Sequence, residues 1–364
     1  MFSRRTNWNP PINRFTAIRQ ERERSGKQLL DLTVSNPTRV GLPYPDSELA
    51  EAMSRAARAP YDPQPLGIMS AREALANEIG GDASDVVITA STSEAYSFLF
   101  KLLCDPGDAV LTATPSYPLL EHLAALELIE LRSFPLEFHR RWELHAERVR
   151  DSITPRTKAI VVVNPNNPTG SYVREDEQEA VSSFGLPVIA DEVFFDFPIV
   201  AEAGSATRFT FVLGGLSKSC GLPHYKLGWI RVSGPEKQRA IDALELIADS
   251  FLSVSTPVQQ ALPDLLRIGA TIREAIRKRT RENLAMLHEA LPPSMRLLPV
   301  EGGWSAVLRM PRTDEDLAIG LLDKGVIVHP GYFFDFESDG YIVISLLTEP
   351  HVLQEGLERM KDEG

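Results

Sequence analysis

The chain has 364 residues, 43 % hydrophobic and 24 % charged, with a formal net charge of −12. That length exceeds one small core and suits a large domain with a smaller companion, while the acidic balance argues against non-specific nucleic-acid binding. Cys104 and Cys220 are the only cysteines; they form neither a disulfide framework nor a metal-ligand spacing, so a reducing cytoplasm is the expected location. The opening MFSRRTNWNPPINRF is basic without an apolar core, unlike a signal peptide. No apolar run approaches the roughly 18 residues needed to span a bilayer.

Along the chain, the first 45 residues are irregular and proline-marked, with a helix expected over 14–24 and a short strand over 29–34. From Glu48 onward, strand and helix alternate. Helical patterns cover 47–59, 71–79, 94–103, 119–126 and 175–184, and short apolar strands cover 86–88, 109–112, 159–163, 187–190, 209–213 and 229–232. This alternation predicts a mostly parallel sheet covered by helices on both faces. After Glu236 a long helical region begins, broken at 253–257, and a second block over 265–291 carries Arg and Glu in the pattern of a solvated face. Strand patterns at 295–298, 304–310, 327–329 and 341–346, with a closing helix from Val352, predict a separate α+β domain. The expected division is an N-terminal arm over 1–45 docking on the small domain, a large domain over 46–255, and the small domain over 256–364.

Three chemically distinctive groups each follow an apolar strand. NPNNPTG follows AIVVV and ends at Gly170, Asp191 follows VIA, and Lys218 lies in the run GGLSKSCGL. Open α/β sheets hold their ligands at strand ends. An amine able to form a Schiff base, a carboxylate and an amide together suit pyridoxal phosphate, whose lysine Schiff base pairs with an Asp at the pyridine nitrogen. Thr92 and Ser93 follow VVIT and open a helix, as a phosphate site or as ordinary N-capping. Tyr117, between two prolines at another strand end, is either a plain tyrosine or a ring that stacks on a flat cofactor. Lys226 could be a cation that activates Lys218 or a phosphate ligand.

In this order the groups resemble the fold type I pyridoxal-phosphate enzymes, and within them the class I/II aminotransferases, from about Leu32 to the last helix. The resemblance implies an α/β fold: a mostly parallel sheet sandwiched by helices in a large cofactor domain, with a smaller α+β C-terminal domain. It assigns the internal aldimine to Lys218, the pyridine-nitrogen partner to Asp191, the phenolic-oxygen donor and a substrate contact to Asn167, and the stacking ring to Tyr117. Phosphate contacts fall on Thr92, Ser93, Ser217 and Lys226. Tyr61 matches a tyrosine that enters from a second subunit, which implies a homodimer; no metal is expected.

Four positions depart from the family pattern. Phe194 stands where a tyrosine usually donates to the phenolic oxygen, Lys226 where an arginine holds phosphate, and Gly215 where Ser or Thr is common. Val343 stands where an arginine clamps the substrate carboxylate. Either another cation compensates, with Arg39 in the loop SNPTRVGLPY as the candidate, or the substrate lacks a free α-carboxylate. The implied activity is amino transfer between an amino acid or amine and a keto acid or aldehyde. A lyase or decarboxylase on the same fold is the alternative. A non-catalytic regulatory module is disfavoured by the acidic charge and the lack of a basic helix-turn-helix segment.

Overall fold

The computed structural model describes residues 2–6, 12–200 and 208–361. After the helix Arg14–Arg24, strand β1 (Leu30–Asp31) is short because Asp31 folds back on the chain. Its Oδ1 accepts from Thr33 N at 2.8 Å and from Thr33 Oγ1 at 2.5 Å, a local bond that competes with strand extension. The expected strand over 29–34 is therefore confined to these two residues.

The main sheet is built from β2 (Val86–Thr89), β3 (Ala109–Thr114) and β4 (Glu130–Pro135), and, beyond the small hairpin β5 (Glu137–Phe138) and β6 (Trp142–Glu143), from β7 (Thr157–Val163), β8 (Val188–Asp191), β9 (Phe211–Gly215) and β10 (Gly228–Val232). The strand order is β2-β10-β9-β8-β7-β3-β4. Strand β10 alone is reversed, antiparallel to both β2 and β9; the other neighbouring pairs are parallel. Because strand side chains alternate in direction, β7 feeds two cores. Ala159 and Val161 pack with the helices Thr92–Leu103 and Lys237–Asp249, whereas Ile160 and Val162 pack with Val149 and Val181 on the opposite face. Burial on both faces is why these strands read as continuous apolar runs. Each fully buried Val or Ile contributes about 1.5–3 kcal/mol.

The helix Leu262–Ala290 carries the chain from one core to another. Leu262, Leu265, Ile272 and Ile276 pack with the helices next to the main sheet, while Leu284 and Leu287 join the C-terminal core. There β11 (Arg296–Leu297), β12 (Ser305–Arg309), β14 (His329–Pro330) and β15 (Tyr341–Ser345) form an antiparallel sheet in the order β11-β12-β15-β14. Strand β13 (Val326–Ile327) pairs in parallel with β1, and Phe15 and Leu32 are buried with Leu322, Leu353 and Leu357. The helices Ala146–Ser152 and Asp314–Asp323, which the sequence patterns did not predict, complete the layers. Among the described residues no helix is long and apolar enough to cross a membrane.

Candidate active site

Strands β7, β8 and β9 are parallel neighbours, with Val163 opposite Asp191 and Asp191 opposite Leu213. Their C-terminal ends therefore deliver Asn167, Asp191 and Lys218 side by side. Strands β2 and β3 end at the same edge and lead into Thr92 and Tyr117, and the reversed β10 starts there, just after Lys226. All six residues, with Ser93 and Ser217, line one cavity of about 400 Å³, whose remaining wall includes Trp304, Ser305, His329 and Val343 of the C-terminal part.

The NPNNPTG turn divides its work. Asn164 accepts from Val173 N at 3.0 Å; Asn166 accepts from Thr169 Oγ1 at 2.9 Å and donates to Pro115 O at 3.3 Å. Gly170 has φ +70°, and a Cβ there would lie 2.6 Å from Gly302 O, so the turn requires glycine on both counts. With two asparagines holding the loop, Asn167 is the one that lines the cavity. Its Oδ1 accepts from Ser305 Oγ at 3.2 Å, which leaves the amide N–H groups to donate to a ligand.

Asp191 is buried. Tyr96 Oη donates to its Oδ2 at 2.9 Å and Val193 N to its Oδ1 at 3.1 Å. Burial raises the Asp191 pKa above the ordinary carboxylate value, while Val193, Tyr96 and the Lys218 charge pull it back. Burial also raises the Tyr96 pKa well above the ordinary phenol value, so Tyr96 remains a neutral donor. Lys218 is half-buried on the short helix Leu216–Ser219. Its Nζ lies 5.2 Å from the Trp304 ring centre and 5.7 Å from that of Phe194. Burial lowers its pKa, opposed by Asp191, and a larger neutral fraction makes the amine a better nucleophile.

The helix Thr92–Leu103 is capped by Ser91, whose side chain accepts from Glu94 N at 3.2 Å while Glu94 accepts from Ala90 N at 2.6 Å. With the helix start held by these two bonds, Thr92 and Ser93 are left facing the cavity at a helix N-terminus, where anions are favoured. Gly228 allows β10 to lie against this turn: a Cβ there would be 2.9 Å from Ser91 C and 3.0 Å from Thr92 N. The residues present thus fit pyridoxal phosphate: hydroxyls, a helix N-terminus and Lys226 for the phosphate, a buried carboxylate for the ring nitrogen, an amide donor and a partly desolvated lysine.

Two expected residues lie elsewhere. Arg39 is exposed on the short turn Pro37–Arg39, which Asn36 caps through Thr38 N at 3.1 Å; from that loop it is Thr33 and Ser35 that reach the cavity wall. Tyr61 is 73 % exposed and lines a surface hollow with Leu252, outside the cavity of its own chain. Among the lining residues that the sequence does not single out are Tyr96, Ser305 and His329. Tyr96 carried a signal, a hydroxyl within the apolar stripe of a helix that opens at the proposed phosphate site. Ser305 and His329 carried none.

The profile of the family described as "Aminotransferase class I and II" matches residues 29–360. Glutamate-pyruvate aminotransferase AlaA of Haemophilus influenzae is 27 % identical, covering 94 % of this chain and 92 % of its own length. S-alkyl-thiohydroximate lyase SUR1 of Arabidopsis thaliana is 26 % identical over 81 % of this chain and 70 % of its own. Among solved structures, a Thermus thermophilus aspartate aminotransferase mutant superposes with a TM-score of 0.84 at 26 % identity, over 100 % of this chain and 99 % of that one.

Proposed function

Because the chain belongs to the class I and II aminotransferase family and is an enzyme that transfers amino groups, we propose that it works with pyridoxal phosphate held covalently by Lys218. The cofactor, when bound, supplies an aldehyde that captures amines and a ring that withdraws electrons from the substrate's α carbon. Asp191, anchored by Tyr96 and Val193, holds a proton at the ring nitrogen. Asn167, oriented by Ser305, donates to the phenolic oxygen, and Phe194 adds no second donor from its position. Thr92, Ser93, Ser217 and Lys226 bind the phosphate, with a cation in place of a bidentate guanidinium fork. Tyr117, 49 % exposed, covers the ring. Lys218, on the short helix that follows β9, would hold the cofactor and would be the base that takes a proton from the substrate's Cα.

The observation that carries this reading is the delivery of Asn167, Asp191 and Lys218 by three adjacent parallel strand ends into one cavity. A homodimer in the cytoplasm is part of the proposal. Tyr61 stands exposed beside the exposed Leu252 and Phe251, an apolar surface that suits a second copy of the chain. The test is Lys218→Ala: the wild-type protein should retain cofactor covalently after borohydride reduction and the variant should not. A borohydride-fixed adduct in the variant would remove Lys218 from this role. A donor panel then separates the reactions. Release of a keto or aldehyde product with amination of an acceptor supports transfer, and release of ammonia or carbon dioxide supports the lyase or decarboxylase alternative.

A further inference from the structure

We propose that His329 receives the acid group of a carboxylate-bearing substrate in this cavity. The inference rests on the amino-transfer reading of the site and identifies how that site recognises its substrate. Three lining residues can carry positive charge: Lys218, Lys226 and His329. The first is committed to the cofactor. The second lines the same cavity two residues before Gly228, which packs on the Ser91–Thr92 turn, and in the proposed function it serves the phosphate. His329 is therefore the cation-forming group left for a second anion.

Its position suits the task. His329 pairs with Val343 across β14 and β15, so the two side chains share one face of the C-terminal sheet, and both line the cavity. Phe333 and Phe334 hold the imidazole, with ring centres at 5.9 and 5.8 Å. Among the described residues its ring nitrogens have no hydrogen-bond partner. Three of the lining hydroxyls are already engaged: Thr33 donates to Asp31, Ser305 to Asn167 and Ser345 to Val34 O at 2.6 Å. Val343 itself offers only apolar surface.

The electrostatics give the interaction a direction. Burial lowers the His329 pKa; Asp31 from β1 raises it in part and Arg19 from the helix Arg14–Arg24 lowers it. Lys218 and Asp191 face the same cavity with opposite charges. The imidazole is therefore neutral at neutral pH until an anion arrives, and a bound carboxylate favours the imidazolium. Acid binding then takes up one proton and weakens as pH rises.

The test uses the cofactor-loaded protein and a matched pair of ligands without an α hydrogen, 2-methylalanine and 2-amino-2-methylpropanol. With no α hydrogen to lose they form no product by amino transfer, so with carbon dioxide release checked to be absent calorimetry reads binding alone, and in the neutral range, where both amines are protonated, the ratio of the two affinities cancels their ionisation. In the wild type the acid should bind more tightly than the alcohol, with a ratio that falls by about tenfold per pH unit above the imidazole pKa. His329→Ala should lower acid affinity by about tenfold or more, remove the pH dependence of the ratio, and leave alcohol binding and cofactor loading unchanged. Adding Val343→Arg to that variant should restore acid binding without restoring the pH dependence. Arg39→Ala should leave the ratio as in the wild type. A ratio in His329→Ala within about twofold of wild type, below what a lost charged hydrogen bond costs, overturns the proposal. So does a wild type that prefers the alcohol at every pH, which would mark a site for amines without a carboxylate. Failure of amino transfer itself would appear separately, as absence of keto product from the donor panel with the binding ratio intact.

Discussion

Tyr96→Phe removes one oxygen from a fully buried position and keeps the ring that fills it. The lost group is the hydroxyl 2.9 Å from Asp191 Oδ2; Val193 N at Oδ1 remains. A hydrogen bond to a charged group contributes about 1.5–3 kcal/mol, and one pKa unit corresponds to about 1.4 kcal/mol. The Asp191 carboxyl should therefore titrate roughly one to two units higher in the variant. The sign follows from which form the hydroxyl serves. It donates to the ionised carboxylate, whose formation burial already disfavours, so its removal adds to the upward shift. Carbon-13 NMR of labelled aspartate in the cofactor-free protein reads this directly, with Asp191→Asn assigning the resonance. A carboxylate with higher proton affinity competes for the proton at the ring nitrogen, so cofactor affinity should fall by about tenfold, the lower end of the same range. If Asp191 moves by less than about 0.3 unit, far below one charged hydrogen bond, and cofactor affinity is unchanged, Tyr96 does not hold Asp191 as argued.

Ser305→Ala frees the Asn167 amide; a neutral hydrogen bond contributes about 0.5–1.5 kcal/mol, so cofactor affinity should drop several-fold with the melting temperature preserved, and an unchanged dissociation constant would deny Ser305 an orienting role. Gly228→Ala places a Cβ 2.9 Å from the Ser91 carbonyl carbon, where only backbone could yield. A loss of about 1–3 kcal/mol in urea unfolding is expected, together with weaker cofactor binding; full retention of both would show that the close approach is not needed. Tyr61→Ala should weaken cofactor binding although Tyr61 lies outside its own chain's cavity, and sedimentation should find a dimer in the wild type; a monomeric wild type with full cofactor affinity would refute the shared site.

What could be read from the residues divides along physical lines. Asn167, Asp191 and Lys218 were legible because each follows an apolar strand directly, and a parallel sheet converts that local fact into a shared edge. The direction of β10 was not legible, because alternation and burial look the same in a strand of either orientation. Strand β4 was missed because an edge strand with a mixed pattern, ELRSFP, lacks the continuous apolar run of its neighbours. The helix Asp314–Asp323 did announce itself: Thr313 caps it by accepting from Asp316 N at 3.3 Å, and three acidic residues follow in the first turn. The strand-like segments on either side obscured that cap.

The orienting groups were lost for a different reason. Tyr96 lies 95 positions from Asp191 and Ser305 138 positions from Asn167, separations that no motif encodes and only the packed register creates. Val343 illustrates the consequence. Read alone, it is a missing charge and turns attention to a cation in the loop after the first strand, Arg39. The pairing of β14 with β15 places an uncommitted imidazole directly across from it. A binding group on such a sheet can thus be relocated to the neighbouring strand and stay on the same face, so the absence of a charge at one position says little until the residue opposite it is known.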